Sequence, residues 1–125
     1  MKIICYLLFA LLLNISTCSS EKDIKEIKFG EGGGFTGAVT GYTLHPNGGV
    51  FSGDEKIRKI GKEEMKGIQE KLKKLPVSSF RFNHPGNMYY FIETEKGKIT
   101  WGDPSFPEPL EIKELYELLM KSAAP

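Results

Sequence analysis

Cysteine is almost missing from this sequence: Cys5 and Cys18 are the two among 125 residues. Cys5 lies inside an apolar N-terminal run, so the remainder holds at most Cys18 and cannot form an internal disulfide, even in an oxidising compartment. Packing alone has to hold the fold. An excess of either charge is missing too, since 17 Lys and Arg stand against 16 Asp and Glu. Without a basic surplus, no nucleic-acid partner is expected. Histidine is scarce: His45 and His84 each precede a proline beside a turn signal, and neither has a second ligand at helical or hairpin spacing, so no metal site is assigned. Ser52, Ser78, Ser79 and Ser105 lack a Gly-x-Ser-x-Gly elbow. The glycine-rich stretch Gly30 to Gly37 lacks the Gly-Lys-Ser/Thr ending of a phosphate loop and leads into a strand. Glu63-Glu64 falls in a first helical turn, where the helix dipole is reason enough for it. No catalytic residue and no cofactor are therefore assigned, and the chain is not expected to be an enzyme.

A long apolar run is missing as well. The longest, Ile3 to Leu13, is eleven residues. As a helix it would reach roughly 17 Å, against a hydrocarbon core of roughly 30 Å. Composition breaks sharply after it: residues 1–18 hold 14 of the 50 hydrophobic residues and one charge, Lys2, while residues 19–125 carry 16 basic and 16 acidic residues. One basic residue, an apolar stretch, then Asn14 and small residues make up an export signal over residues 1–17. Ile15-Ser16-Thr17-Cys18 resembles the lipobox of bacterial lipoproteins, with Thr17 standing where that pattern has Gly, Ala or Ser. The resemblance implies a lipidated (palmitate-type) Cys18 at the new N-terminus, a polar tether through residue 23, and a membrane as partner through the lipid. The alternative is ordinary cleavage after Cys18 or Ser20, with Cys18 discarded. The expected location is the bacterial cell envelope, exported and lipid-anchored on the periplasmic or surface side.

Residues 24–121 read as one domain. Ile27 and Phe29 mark a short strand that the glycines from Gly30 to Gly34 should end. Thr40, Tyr42 and Leu44 alternate along a second strand, and Pro46-Asn47-Gly48-Gly49 turns it into a hairpin through Val50-Phe51. Lys56 to Ile60 alternates again. The period then changes: Met65, Ile68, Leu72 and Leu75 describe an amphipathic helix stopped by Pro76. Met88 to Thr94 and Lys98 to Trp101 form a hairpin through Lys96-Gly97, with Phe80 and Phe82 tucked beneath the preceding loop. Pro104, Pro107 and Pro109 remove three donors and end the ladder. Ile112, Leu115, Tyr116, Leu119 and Met120 give a second amphipathic helix, and residues 122–125 are expected to fray. The pattern predicts an α+β fold, an antiparallel sheet of four to six strands packed on one side by two amphipathic helices.

Aromatic residues are the notable surplus. Alternation sends Tyr89, Tyr90, Phe91 and Trp101 to opposite faces of one hairpin, and Tyr90 with Trp101 facing outward would make a binding platform. A second buried layer would account for the same residues. The order Gly33-Gly34-Phe35-Thr36-Gly37, amphipathic helix to Leu75-Pro76, aromatic hairpin, Trp101-Gly102-Asp103 and Pro-led final helix resembles the emfourin group, small bacterial inhibitors of thermolysin-like metalloproteases. The resemblance spans residues 24–121 in element order and implies an α+β inhibitor that fills a protease cleft with loops or strand ends. The hairpin at Pro46 to Gly49 and the leader have no counterpart in it. The candidate binding surface is therefore Gly33, Gly34, Phe35, Gly37, His84, Tyr90 and Trp101. The expected function is a small non-catalytic binding or structural module of the envelope, with inhibition of a metalloprotease as the alternative and an envelope protein as the partner.

Overall fold

The computed structural model describes residues 25–124. The expected signal over residues 1–17, Cys18 and the expected tether fall outside the described residues. Six strands, β1 (Ile27–Gly33), β2 (Val39–Leu44), β3 (Gly49–Ser52), β4 (Glu55–Lys59), β5 (Met88–Thr94) and β6 (Gly97–Trp101), form one antiparallel sheet in the order β4-β3-β2-β1-β5-β6. Helix α1 (Lys62–Lys74) and helix α2 (Leu110–Ala123) pack on one face of it. Among the described residues no helix is long and apolar enough to cross a membrane.

Period-2 alternation assigns the faces. Ile27 and Phe29 of β1, Leu44 of β2, Val50 of β3, Ile92 of β5 and Ile99 of β6 point to the helices, where they meet Ile68, Leu72, Ile112, Leu115 and Leu119. All of these are at most 1% exposed. The turn after β2 forms where the Asn-Gly pair places it: the His45 N–H donates to the Gly49 carbonyl and the Asn47 side-chain oxygen accepts from the Gly49 N–H. A short 3-10 turn, Val77–Arg81, buries Phe80 against β6, as the loop aromatics foreshadow.

Two expectations change. The glycines do not end β1, which runs through Gly33 as the central strand and pairs with β2 and β5 along its length. The reason is close approach: a Cβ on Gly30 would collide with the Thr40 carbonyl oxygen, and one on Gly32 would meet the Tyr89 ring at 2.7 Å. On this open face Phe91 lies beside Gly41 and Lys98 sits 5.1 Å above the Phe91 ring. Two aromatic rings thus replace a missing layer over the glycines, and Phe91 is 8% exposed although no helix covers it. The segment expected to fray from residue 122 also begins as helix. Helix α2 continues to Ala123, with Ser122 buried, because Arg58 of β4 donates from one guanidinium nitrogen to the carbonyls of Lys121, Ser122 and Ala124.

Candidate functional site

Antiparallel pairing gives the sheet two ends. Gly33, Val39, Met88 and Trp101 lie at one, here the far end; Ile27, Leu44, Thr94 and Gly97 lie at the near end, where the chain enters from its N-terminal side. The far end of β1 opens into a tight loop. Gly33, Gly34 and Gly37 take φ of 88°, 76° and 66°, a region that residues with a Cβ avoid, and the Gly37 N–H donates to the Gly34 carbonyl. The Gly34 N–H donates to the Asn87 carbonyl at 2.8 Å, fastening the loop to the segment before β5. Phe35 is held at the tip with its side chain wholly in solvent, at 111% of reference exposure. Val39 (58%) and Met88 (47%) are exposed on the adjoining strand ends. Phe35 thus projects from the tip with one exposed apolar residue flanking it on each face of the sheet, Val39 opposite Gly32 and Met88 opposite Gly33.

Behind that tip lies a shelf on the helix-bearing face. One row across the sheet reads Thr40, Glu31, Tyr90, Trp101, and the next row contains Tyr42 and Phe29. Helix α2 contributes Tyr116, whose hydroxyl donates to the Gly30 carbonyl at 3.2 Å. Tyr90 and Trp101 lie 26° from parallel with centroids 6.0 Å apart, and Tyr116 stands edge-on to both, at 5.7 and 5.0 Å. Burial chiefly, then the Glu31 carboxylate, then Tyr90 and Tyr42, push the Tyr116 hydroxyl up to about 12, so it stays protonated as a donor.

The candidate residues divide. Gly33, Gly34, Phe35 and Gly37 form the projecting loop together. Trp101 does not face outward: at 4% exposure it is packed against Tyr116, which corrects the platform expectation. Tyr90 shares its face and is half-buried. The physical cause is the pairing of Tyr90 with both Glu31 and Trp101, which puts all three on the side that α2 crosses. His84 is elsewhere. It stacks on Phe106 (4.1 Å, 9°), meets Phe82 edge-on and is hydrogen-bonded through its backbone to Thr100 of β6, at the outer edge of the sheet. His45 follows β2 and packs on Phe51 of β3, at least four strand spacings or about 19 Å away across the sheet. Among the described residues no group of three His, Cys, Asp or Glu is placed to hold a metal.

Glu31, Tyr42 and Tyr116 belong to the shelf although sequence reading does not mark them as binding residues, placing Tyr42 and Tyr116 only in their strand and helix patterns. Continuing the Ile27–Phe29 alternation by one step through the glycines would have marked Glu31 as a carboxylate on the core-facing side. Ending the strand at Gly30 hid it. Comparison with protein-family models, curated proteins and solved structures gives no match.

Proposed function

We propose that this chain is an exported, non-catalytic binding module of a bacterial cell envelope, fastened to a membrane through acylated Cys18 and presenting the Phe35 loop to an envelope protein. The observation that carries the binding role is the fully exposed phenylalanine at the tip of a loop pinned by three positive-φ glycines and a 2.8 Å hydrogen bond. Burying such a ring contributes roughly 1.5–3 kcal/mol, so its exposure is a cost unless a partner covers it. The lipid attachment rests on Lys2, the Ile3 to Leu13 run and Ile15-Ser16-Thr17-Cys18. The two roles fit one molecule, because β1 carries the chain about 20 Å from its near end, where the described chain begins, to the loop at the far end.

The test has two arms. Cells fed labelled palmitate should incorporate it into the wild-type chain and not into Cys18→Ala. A photoreactive phenylalanine analogue at position 35 should cross-link to one envelope protein, and the same analogue at exposed Val77 should not. Absence of both label and adduct sinks the proposal.

The same loop supports a second reading, inhibition of a thermolysin-like metalloprotease, because a rigid projecting tip is a shape that fills a cleft. Unchanged proteolysis at micromolar concentrations of this protein eliminates it.

A further inference from the structure

Lysine and arginine are sparse at one end of this molecule. Segments 29–55, 82–95 and 99–112 contain neither, and these segments include the far ends of β1, β2, β5 and β6 with their loops. Glu31, Asp103 and Glu108 are there instead. The near end carries both signs, Lys25, Lys28, Lys96 and Lys98 standing among Glu26, Glu93 and Glu95. The far end thus gathers carboxylates with Lys113 as a neighbouring cation, and like-charge repulsion would turn an anionic partner away from it.

The shelf lies within that acidic end. A shallow depression of about 310 Å³ is lined by Tyr90, Trp101 and Tyr116 and rimmed by Glu108, Glu117 and Lys113. Lys113 precedes Glu117 by one helical turn on α2, a spacing at which the two charges offset each other. Trp101, at 4% exposure, offers no free ring face on which a sugar or a planar ligand could stack. What the shelf does present is partly exposed tyrosine and carboxylate, the combination that attracts a cation carried on an aliphatic stem.

We propose that this shelf docks an extended basic segment of a protein partner, one lysine or arginine of which lies along Tyr90 and Tyr116 with its charge toward Glu31 and Glu108. The proposal rests on the reading of the chain as a binding module and names its partner's chemistry. The Phe35 loop leaves β1 two residues beyond Glu31, so a partner that covers the loop also reaches the shelf.

Trp101 is the single tryptophan and supplies the signal. The full-length chain is titrated with an acetylated, amidated peptide of four Pro-Arg repeats, and with its Pro-Glu counterpart. The arginine peptide should give a saturable change in tryptophan fluorescence below about 1 mM. Raising salt from about 50 to about 500 mM should weaken it, as should Glu31→Gln, by about tenfold or more. The double variant Glu108→Gln/Glu117→Gln, altered only on the rim, guards against misfolding of the first and should weaken binding as well. Glu70→Gln, on α1 at the near end, should leave it unchanged. No saturable change, an equal response to the Pro-Glu peptide, or full affinity in both shelf variants overturns the proposal. A persistent Phe35 cross-link without a peptide response removes the basic partner and leaves the binding module. A peptide response without any cross-link supports the shelf and removes the Phe35 partner.

Discussion

The helix-bearing face of the sheet is built in two halves that obey different rules. Toward the near end, Ile27, Leu44, Ile92 and Ile99 meet α1 and α2 through aliphatic side chains that are at most 1% exposed. Toward the far end the same face carries Glu31, Tyr90 and Tyr116, all half-buried, with half-buried Tyr42 in the boundary row beside Phe29, Ile92 and Ile99. One half excludes water, and the other keeps hydroxyls and a carboxylate at its margin. The difference teaches where stability is made and where it is given up for an accessible surface: a tyrosine packs its ring like a core residue yet needs a wet or hydrogen-bonded hydroxyl.

The sharpest way to break that comparison is to cut the aliphatic half at its aromatic boundary. Phe29 is 0% exposed and lies between Tyr42 and Ile92. Phe29→Ala should destabilise the fold by about 3–5 kcal/mol, measured by urea unfolding followed at Trp101. A loss below about 1 kcal/mol would mean that the core does not depend on this junction. Gly30→Ala tests the strand itself, since the new methyl would press on the Thr40 carbonyl and the Gly41 backbone, neither of which can swing aside. A cost of about 1–3 kcal/mol is expected in the same assay.

These two positions also show what could be read before the structure was known. Helix periods at Ile68, Leu72, Ile112, Leu115 and Leu119 are strong, because each helix has one apolar stripe and a polar remainder, and both helices form where the period sets them. The turns at Asn47-Gly48 and Lys96-Gly97 were equally legible from backbone chemistry. The path of β1 was not. Glycine is read locally as a breaker, whereas here it is required by neighbours far along the chain, Tyr89 and the β2 backbone. The shelf was illegible for the same reason: Glu31, Tyr90 and Tyr116 meet through a strand that local rules cut short and through a helix 86 residues from Gly30. Phe35 could be singled out within a glycine-rich stretch, but its exposure follows from the hydrogen bond to Asn87, which no local pattern encodes.

A smaller effect belongs to the tyrosine half. Tyr116→Phe deletes a half-buried hydrogen bond to the Gly30 carbonyl and should cost about 0.5–1.5 kcal/mol at neutral pH. Its clearer signature is alkaline. The unfolded chain releases a tyrosine proton near 10 and the folded chain holds this one up to about 12, so the folded state binds it more tightly. The stability this imparts is complete below about pH 10 and is lost as pH rises toward 12. Urea midpoints measured across that window should fall more steeply for the wild type than for Tyr116→Phe, and equal slopes would show that the hydroxyl is not held in that way.

The least effect on folding should come from the most conspicuous side chain. Phe35 touches nothing that its removal would expose, because its ring lies in solvent, and the loop is held by glycine dihedrals and the Gly34–Asn87 hydrogen bond rather than by packing. Phe35→Ser should therefore leave the urea midpoint within about 0.5 kcal/mol of wild type, or raise solubility by removing apolar surface. The same substitution should abolish partner capture, since a residue that contributes nothing to the fold is free to contribute to recognition. A loss of stability above about 1 kcal/mol would place the ring against the body of the protein. Phe35 would then belong with the packed residues of the near half, and the division between a stabilising half and a displaying half would fail at its most exposed point.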